Sequence, residues 1–577
     1  MTFQARLPKV FAAVVAVSLM FSMFSMMNIQ ESRVQPEIMS SSSHRVPLIV
    51  QRKLPTLEKD STFGLSEDGW TKDPICQKWE AFDKAVQTQK NFEGNCVPVE
   101  SLLPNDFSIQ LCTSKRFCGQ GYFVVSRIDK VRCDKDLDID VSNHKLYNQY
   151  VKDEFGPDLF HVVFDGPERA STSMWRHLGN CEYKIPFRLT NPGVYSVQLI
   201  LAYEQFRALN ELTDVWPQTN LSQLIPSTFT LDVCSKHCTP FTSKMVHSMH
   251  PSLPLCSRTE PTQGVYLKIT GETARELRYM QGYNHKYIYE PLGCRFDQLF
   301  ETHANDTCFS HRNYAFQLMG DSQARGLWFG LDARLAGSNT PVLEKIKWER
   351  AFAKYFNPAD LEKYPALAKA IADDSERQGN SDEFDKDDIR TKLNGVTMDY
   401  TAPSHLEIFY NSDWIKSWDE KSGTRTEEYL AKYDALVMNS GHHPASGQWQ
   451  GGHYTVQRYV FMLEYVATYM AEVQSRRSSH GYNPLEFVWM GTNAITLIND
   501  LTHRHVDWKD WRNNYRFRIW NEYSDEIFLR NGFKVINSYE MTLPWAQDSP
   551  DQSHMHTLPA MEAQADEVLH KLNLCNV

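Results

Sequence analysis

The sequence predicts an α/β protein: a three-layer α/β/α domain on a mostly parallel sheet, preceded by an immunoglobulin-like β-sandwich and an N-terminal transmembrane helix. Three observations carry this. Residues 10–27, from Val10 to Met27, are uncharged and apolar-leaning, just long enough to span a bilayer. Residues 71–240 hold short alternating runs, among them GYFVVSRI, LFHVVFDG, GVYSVQLILAY and STFTLDVC, separated by Gly, Pro, Asn and Asp. That is the period-two texture of a sandwich. From residue 285 to 577, apolar runs alternate with segments of helical length, which implies parallel strands covered on both faces.

At the N-terminus, Arg6 and Lys9 precede the apolar stretch, which assigns residues 1–9 to the cytosol and everything after Met27 to the lumen. A cleaved signal peptide is the competing reading, but the apolar core is long for one and no small-x-small cleavage site follows it. Residues 28–70 are polar, Ser-rich and punctuated by Pro, as in a stem that holds a domain away from a membrane. Twelve cysteines fit a disulfide framework in an oxidising compartment, and the sequons at Asn220 and Asn305 agree with glycosylation there. CSKHC at 234–238 has some look of a zinc half-site, yet no second pair of matching spacing follows, so no metal is expected.

The composition is that of a folded protein of two to four domains, with 577 residues, 42% hydrophobic and 23% charged. A net charge of −11 excludes the basic footprint that nucleic acid requires. The sandwich is led by NPGVYSVQLILAYEQF and reads as a spacer or a carbohydrate-facing accessory module. In the later part the strands are YAFQLMG (314–320), YDALVMNSG (433–441), LEFVWMGTN (485–493) and GFKVINSYEM (532–541). GHYTVQRYVFMLEYVATYMAEVQSR has apolar residues at helical spacing, and DDSERQGNSDEFDKDDIR reads as a solvated insertion. Three of the four strands end in small polar clusters, Gly-Asp-Ser, Asn-Ser-Gly and Gly-Thr-Asn, which should converge beyond the strands' carboxyl ends.

Ser322 stands just past the first of these strands, where helix N–H groups point outward. Asp321 or Ser322 would suit a helix cap, and the same donors would suit an oxyanion. A serine nucleophile needs a base, and the base needs an orienting group. Asp551 and His554, at i and i+3 before the final helix, supply both, with His556, His442 and His443 as other candidates for the base. Arg325 lies one helical turn beyond Ser322, where it would bind an acyl oxygen, bind a polar substrate group, or make a surface salt bridge.

GDSQARG together with DQSH resembles the paired signature of the PC-esterase branch of the SGNH hydrolase superfamily. That branch includes the trichome-birefringence-like polysaccharide O-acetyltransferases and the neurexophilin-and-PC-esterase-domain proteins. YEPLGCRFDQLF and NSGHH extend the resemblance over residues 285–577, and a sandwich in front of such a domain is the neurexophilin-and-PC-esterase arrangement. The resemblance implies an SGNH-hydrolase-like domain with Ser322 as nucleophile, His554 as general acid/base, Asp551 as its orienter and Asn439 as an oxyanion donor. Gly441 and His442 match the family's Asn-x-Gly-His run. The second-block glycine has no unique counterpart; Gly326, Gly330 and Gly337 are candidates.

The function expected is therefore a Golgi, single-pass type II glycan O-acetyltransferase. It would hold no bound cofactor and would take acetyl from acetyl-CoA or from a group relayed by a membrane acetyl-donor protein. An O-acetyl esterase with the same triad and a non-catalytic luminal or surface glycoprotein are the alternatives. Trp414, Trp418, Trp449, Trp508 and Trp511 permit a sugar-stacking groove.

Overall fold

The computed structural model describes residues 94–574, except 115–118, 134–155, 173–175, 206–220, 237, 250–251, 272–285, 298–312, 337–387, 394–395, 402–429, 447–453, 498–510 and 549–558. The described residues fall in one compact unit.

Twelve strands form two antiparallel sheets: β1 (Gly94–Val99), β2 (Phe107–Ser114), β3 (Gln120–Arg127), β4 (Leu159–Asp165), β5 (Glu168–Thr172), β6 (Arg176–Gly179), β7 (Glu182–Arg188), β8 (Gly193–Tyr203), β9 (Ser222–Gln223), β10 (Thr230–Val233), β11 (Gly264–Lys268) and β12 (Tyr287–Pro291). The first sheet runs β1-β2-β3-β7-β6, and the second β10-β8-β4-β5-β11-β12 with β9 on β8. Alternation along β2 sends Phe107, Ile109 and Leu111 inward and Ser108 and Gln110 out, the pattern of a sheet with one solvated face. The inner faces meet through rings: Phe107 lies edge-on to Phe160 at 6.1 Å, and Phe164 packs on Phe187 at 5.0 Å. Disulfides join Cys96 to Cys112, Cys133 to Cys181 and Cys256 to Cys294, and Cys234 and Cys238 are disulfide-bonded as well.

The remaining chain runs β13 (Tyr314–Met319), α1 (Ser322–Ala336), β14 (Asp388–Leu393), β15 (Val396–Thr401), β16 (Ala435–Asn439), α2 (Val456–Ser479), β17 (Glu486–Met490), α3 (Asn514–Arg530), β18 (Lys534–Ile536) and α4 (Pro559–Lys571). Its sheet has the order β14-β15-β13-β16-β17-β18. All its pairings are parallel except the edge pair β14–β15. β16 is buried along its whole length, as a strand covered on both faces must be. In β17, Val488 and Met490 join a core with Leu327 and Leu331 of α1 and Val568 and Leu569 of α4. Trp489 faces away from them and stacks on Phe528 of α3 at 4.3 Å.

The predicted fold is corrected here. Among the described residues only one of three sheets is parallel, the other two are antiparallel, and helices are few. A three-layer α/β/α SGNH-type domain is therefore not what the chain displays. The second antiparallel sheet also runs on past residue 240 to take in β11 and β12, because Tyr266 and Leu267 pair with Arg169 and Glu168 of β5. No described helix is long and apolar enough to cross a membrane; residues 10–27 lie outside the described residues. Within the parallel part, GFKVINSYEM is strand only over Lys534–Ile536, because the Asn537 side chain accepts from the Glu540 N–H and starts a short helix, Ser538–Thr542. The end of the predicted insertion, from Asp388, is β14, a charged edge strand.

Candidate active site

The sheet order turns back at β13, whose neighbours are β15 on one side and β16 on the other. A crevice beyond the carboxyl ends of β13 and β16 is where such sheets bind ligands. Gly320 ends β13 against β16: a Cβ there would lie 2.7 Å from the Asn439 carbonyl oxygen, so only glycine lets the two strand ends approach this closely. Asp321 follows, buried, and its Oδ1 accepts the Gln323 N–H at 2.9 Å. The capping role thus belongs to Asp321, and Ser322 is the first residue of α1, half-buried. The Tyr400 hydroxyl meets the carbonyls of Gly320 and Asp321 at 3.2 and 3.3 Å, steadying the turn from the β15 side. Arg325 is half-buried one turn along α1, its N–H donating to the Asp321 carbonyl at 3.2 Å.

The three strand-end clusters do converge. Asn439 Nδ2 donates to the carbonyls of Met490 and Gly491 at 3.0 and 3.1 Å, and Thr492 Oγ1 donates to the Ser440 carbonyl at 3.2 Å. Gly441 precedes a helical turn, His442–Ala445, and a Cβ on it would collide with the Thr492 side chain. His442 is buried with its ring 4.7 Å from Phe517, and its Nε2 meets the Asn493 carbonyl at 3.1 Å, which makes that nitrogen the donor. Tyr459 of α2 donates to the Ser440 carbonyl at 2.6 Å. Burial pushes the Tyr459 hydroxyl up, and the charge of Asp321 adds to the effect, so it remains a donor.

Both amide protons of Asn439 are therefore directed at carbonyls of β17's end, not at the crevice, and its buried Oδ1 has no partner among the described residues. In this arrangement Asn439 staples two strand ends together. Asp551 and His554, together with Asn220 and Asn305, lie outside the described residues. The chain on either side of Asp551 and His554 is described. Before it, Arg169 of β5 donates to the Pro544 carbonyl at 2.8 Å, pairs with Asp548, and lies over the Trp545 ring at 4.6 Å. After it, α4 crosses α1 closely, since a Cβ on Gly330 would sit 3.3 Å from Ala565 Cβ, and Arg334 pairs with Asp566 at 2.7 Å. Gly330 is thereby a helix-packing glycine. Trp511 is buried at 4% exposure, a core residue, while Trp414, Trp418, Trp449 and Trp508 lie outside the described residues.

The Gly-Thr-Asn cluster at 491–493 is legible in the sequence, but the partners that make it part of the site, Gln323, Tyr459 and Gln564, are not. Nothing in their local pattern separates them from ordinary helix residues. Among the described residues, no group of three or more His, Cys, Asp or Glu side chains is placed to hold a metal ion. No protein-family model matches the chain, and no curated protein matches it.

Proposed function

We propose that the protein is a glycan O-acetyltransferase working through an acyl-enzyme on Ser322, as the motifs it shares with PC-esterase-type sequences suggest. The observation that carries this reading is the position of Ser322. It opens α1 at the point where the sheet order reverses, its capping duty is taken over by Asp321, and the polar ends of β16 and β17 are bonded into the same place.

Ser322 Oγ attacks the carbonyl carbon of an activated acetyl donor while His554, oriented by Asp551, takes its proton. The tetrahedral oxyanion would be met by the Ser322 N–H at the start of α1, since the Gln323 N–H is bonded to Asp321 Oδ1 and Asn439 to the β17 carbonyls. The proton returns through His554 to the leaving group. A sugar hydroxyl, deprotonated by the same imidazole, then attacks the acetyl-serine, forming the product ester and freeing Ser322. Arg325, on the turn above Ser322, would bind the acceptor's polar groups. Donor acetyl comes from acetyl-CoA or a membrane acetyl-donor protein, and the chain is held by residues 10–27 in a Golgi membrane, with residues 1–9 cytosolic and everything after Met27 luminal. The disulfides support an oxidising compartment.

Fluorophosphonate labelling tests the nucleophile: Ser322 is labelled in the wild type and not in Ser322→Ala or His554→Ala. Acetylated protein given glycans or water then separates transferase from esterase. Labelling that survives Ser322→Ala would overturn the reading.

A further inference from the structure

The stretch Gly491–Leu497 leaves the end of β17 without regular secondary structure, yet all of it is buried. Buried irregular backbone must find partners for its N–H and C=O groups, and here side chains from several elements provide them. Asn439 donates to the Gly491 carbonyl, Asn521 to that of Thr492 at 3.0 Å, and His442 to that of Asn493 at 3.1 Å. Thr542 Oγ1 accepts from the Ala494 N–H at 2.7 Å, and Asn514 brackets Ile495, accepting from its N–H at 2.7 Å and donating to its carbonyl at 2.8 Å. The Leu497 N–H donates to the Ala546 carbonyl at 2.8 Å. A loop over-determined in this way is rigid, as a supporting shell for a reacting group has to be.

Asn493 extends that rigidity to the helices. Its Nδ2 donates to Gln323 Oε1 at 2.8 Å, and its Oδ1 accepts from Gln564 Nε2 at 2.6 Å. All three amides are at most 2% exposed. Gln323 adjoins Ser322, and Gln564 lies in the second turn of α4. One side chain therefore references the start of the nucleophile's helix and the start of the C-terminal helix to the same fixed loop.

We propose that Asn493 is a positioning residue for Ser322, acting through Gln323; this rests on the acyl-enzyme reading above. It touches no reacting atom. Its work is to hold α1's first turn at the spacing that attack on an acyl carbonyl requires, where a shift of about 1 Å costs on the order of 100-fold in rate.

The test measures acylation of Ser322 by an activated acetyl ester in Asn493→Ala, in Gln323→Met, which keeps side-chain length but cannot accept, and in the double variant. Each single change should lower kcat about 10-fold or more with KM within about twofold, and the double should lose no more than the worse single. Hydrogen exchange should quicken at residues 322–327 in Asn493→Ala and remain unchanged at 328–336, a readout independent of turnover. Single variants that acylate like the wild type, or losses that multiply in the double, would overturn the proposal while leaving the nucleophile intact. A wild type that is never acylated would overturn both.

Discussion

Replacing Asn439 with alanine separates the oxyanion role that the resemblance implies from the strand-stapling role that its hydrogen bonds show. As folded, the change removes two N–H···O bonds, at 3.0 and 3.1 Å, and strands the Met490 and Gly491 carbonyls at a site where Asn439 itself is 1% exposed. A buried acceptor left without its donor costs about 1–3 kcal/mol. Against this, the change also removes Asn439 Oδ1, a buried acceptor with no partner among the described residues, and its loss returns about 1 kcal/mol. With both acceptors stranded, the balance is a destabilisation of about 1–5 kcal/mol, read as a fall in the urea midpoint at unchanged m-value by intrinsic fluorescence. Asn439→Asp should be worse, because a carboxylate would face two carbonyl oxygens. Acylation of Ser322 by the folded fraction of Asn439→Ala should drop only modestly. An unchanged urea midpoint combined with a loss of about 100- to 1,000-fold in acylation would instead make Asn439 an oxyanion donor and not a staple.

Arg169→Met keeps apolar bulk over Trp545 but loses the bond to the Pro544 carbonyl and the pairs with Asp165 and Asp548. Both carboxylates are more than a third exposed, so the pairs count for little; a loss of about 1–2 kcal/mol, with faster hydrogen exchange at residues 543–548, is expected. Unchanged exchange there would show that the antiparallel sheets do not anchor the segment leading to Asp551.

The pH response of the second sheet rests on two buried groups. Burial pushes Glu168 up from 4.5 to about 7, so its contribution is intact below pH 4.5 and lost as pH rises to about 7. Burial, with the Arg169 charge adding, pushes His161 down from 6.5 to about 3, so its contribution is present above pH 6.5 and lost as pH falls toward 3. The slopes oppose each other between pH 4.5 and 6.5. Relative to the wild type, Glu168→Gln should therefore gain stability with rising pH between 4.5 and 7, by up to about 1.4 kcal/mol per unit. A pH-independent difference would contradict this.

Much of the local structure was legible in the sequence. The runs YAFQLM, ALVMN and EFVWM are β13, β16 and β17, because continuous apolar character marks a strand buried on both faces. The period of VQRYVFMLEYVATYM places Tyr459, Leu463, Val466 and Met470 on the buried side of α2, capped by Thr455. The global arrangement was not legible. Antiparallel and parallel strands share propensities, and nothing local showed that Tyr287–Pro291 would extend the antiparallel sheet instead of opening the next domain. For the site, the converging strand ends and the start of α1 were readable from Gly-Asp-Ser and its counterparts. Asn439's engagement with β17 was not, because an amide's partners are set by tertiary contacts that carry no periodic signal. The Gln323–Asn493–Gln564 chain is hidden for the same reason: its members lie 170 and 71 residues apart.

The proposed mechanism requires the acetyl group to sit on Ser322. The purified protein, mixed with an activated acetyl ester, quenched in acid and examined by intact mass and peptide mapping, tests this. One transient acetyl is expected on the peptide containing Ser322, absent in Ser322→Ala and in His554→Ala. No adduct in the wild type, or an adduct on any other side chain, would contradict it.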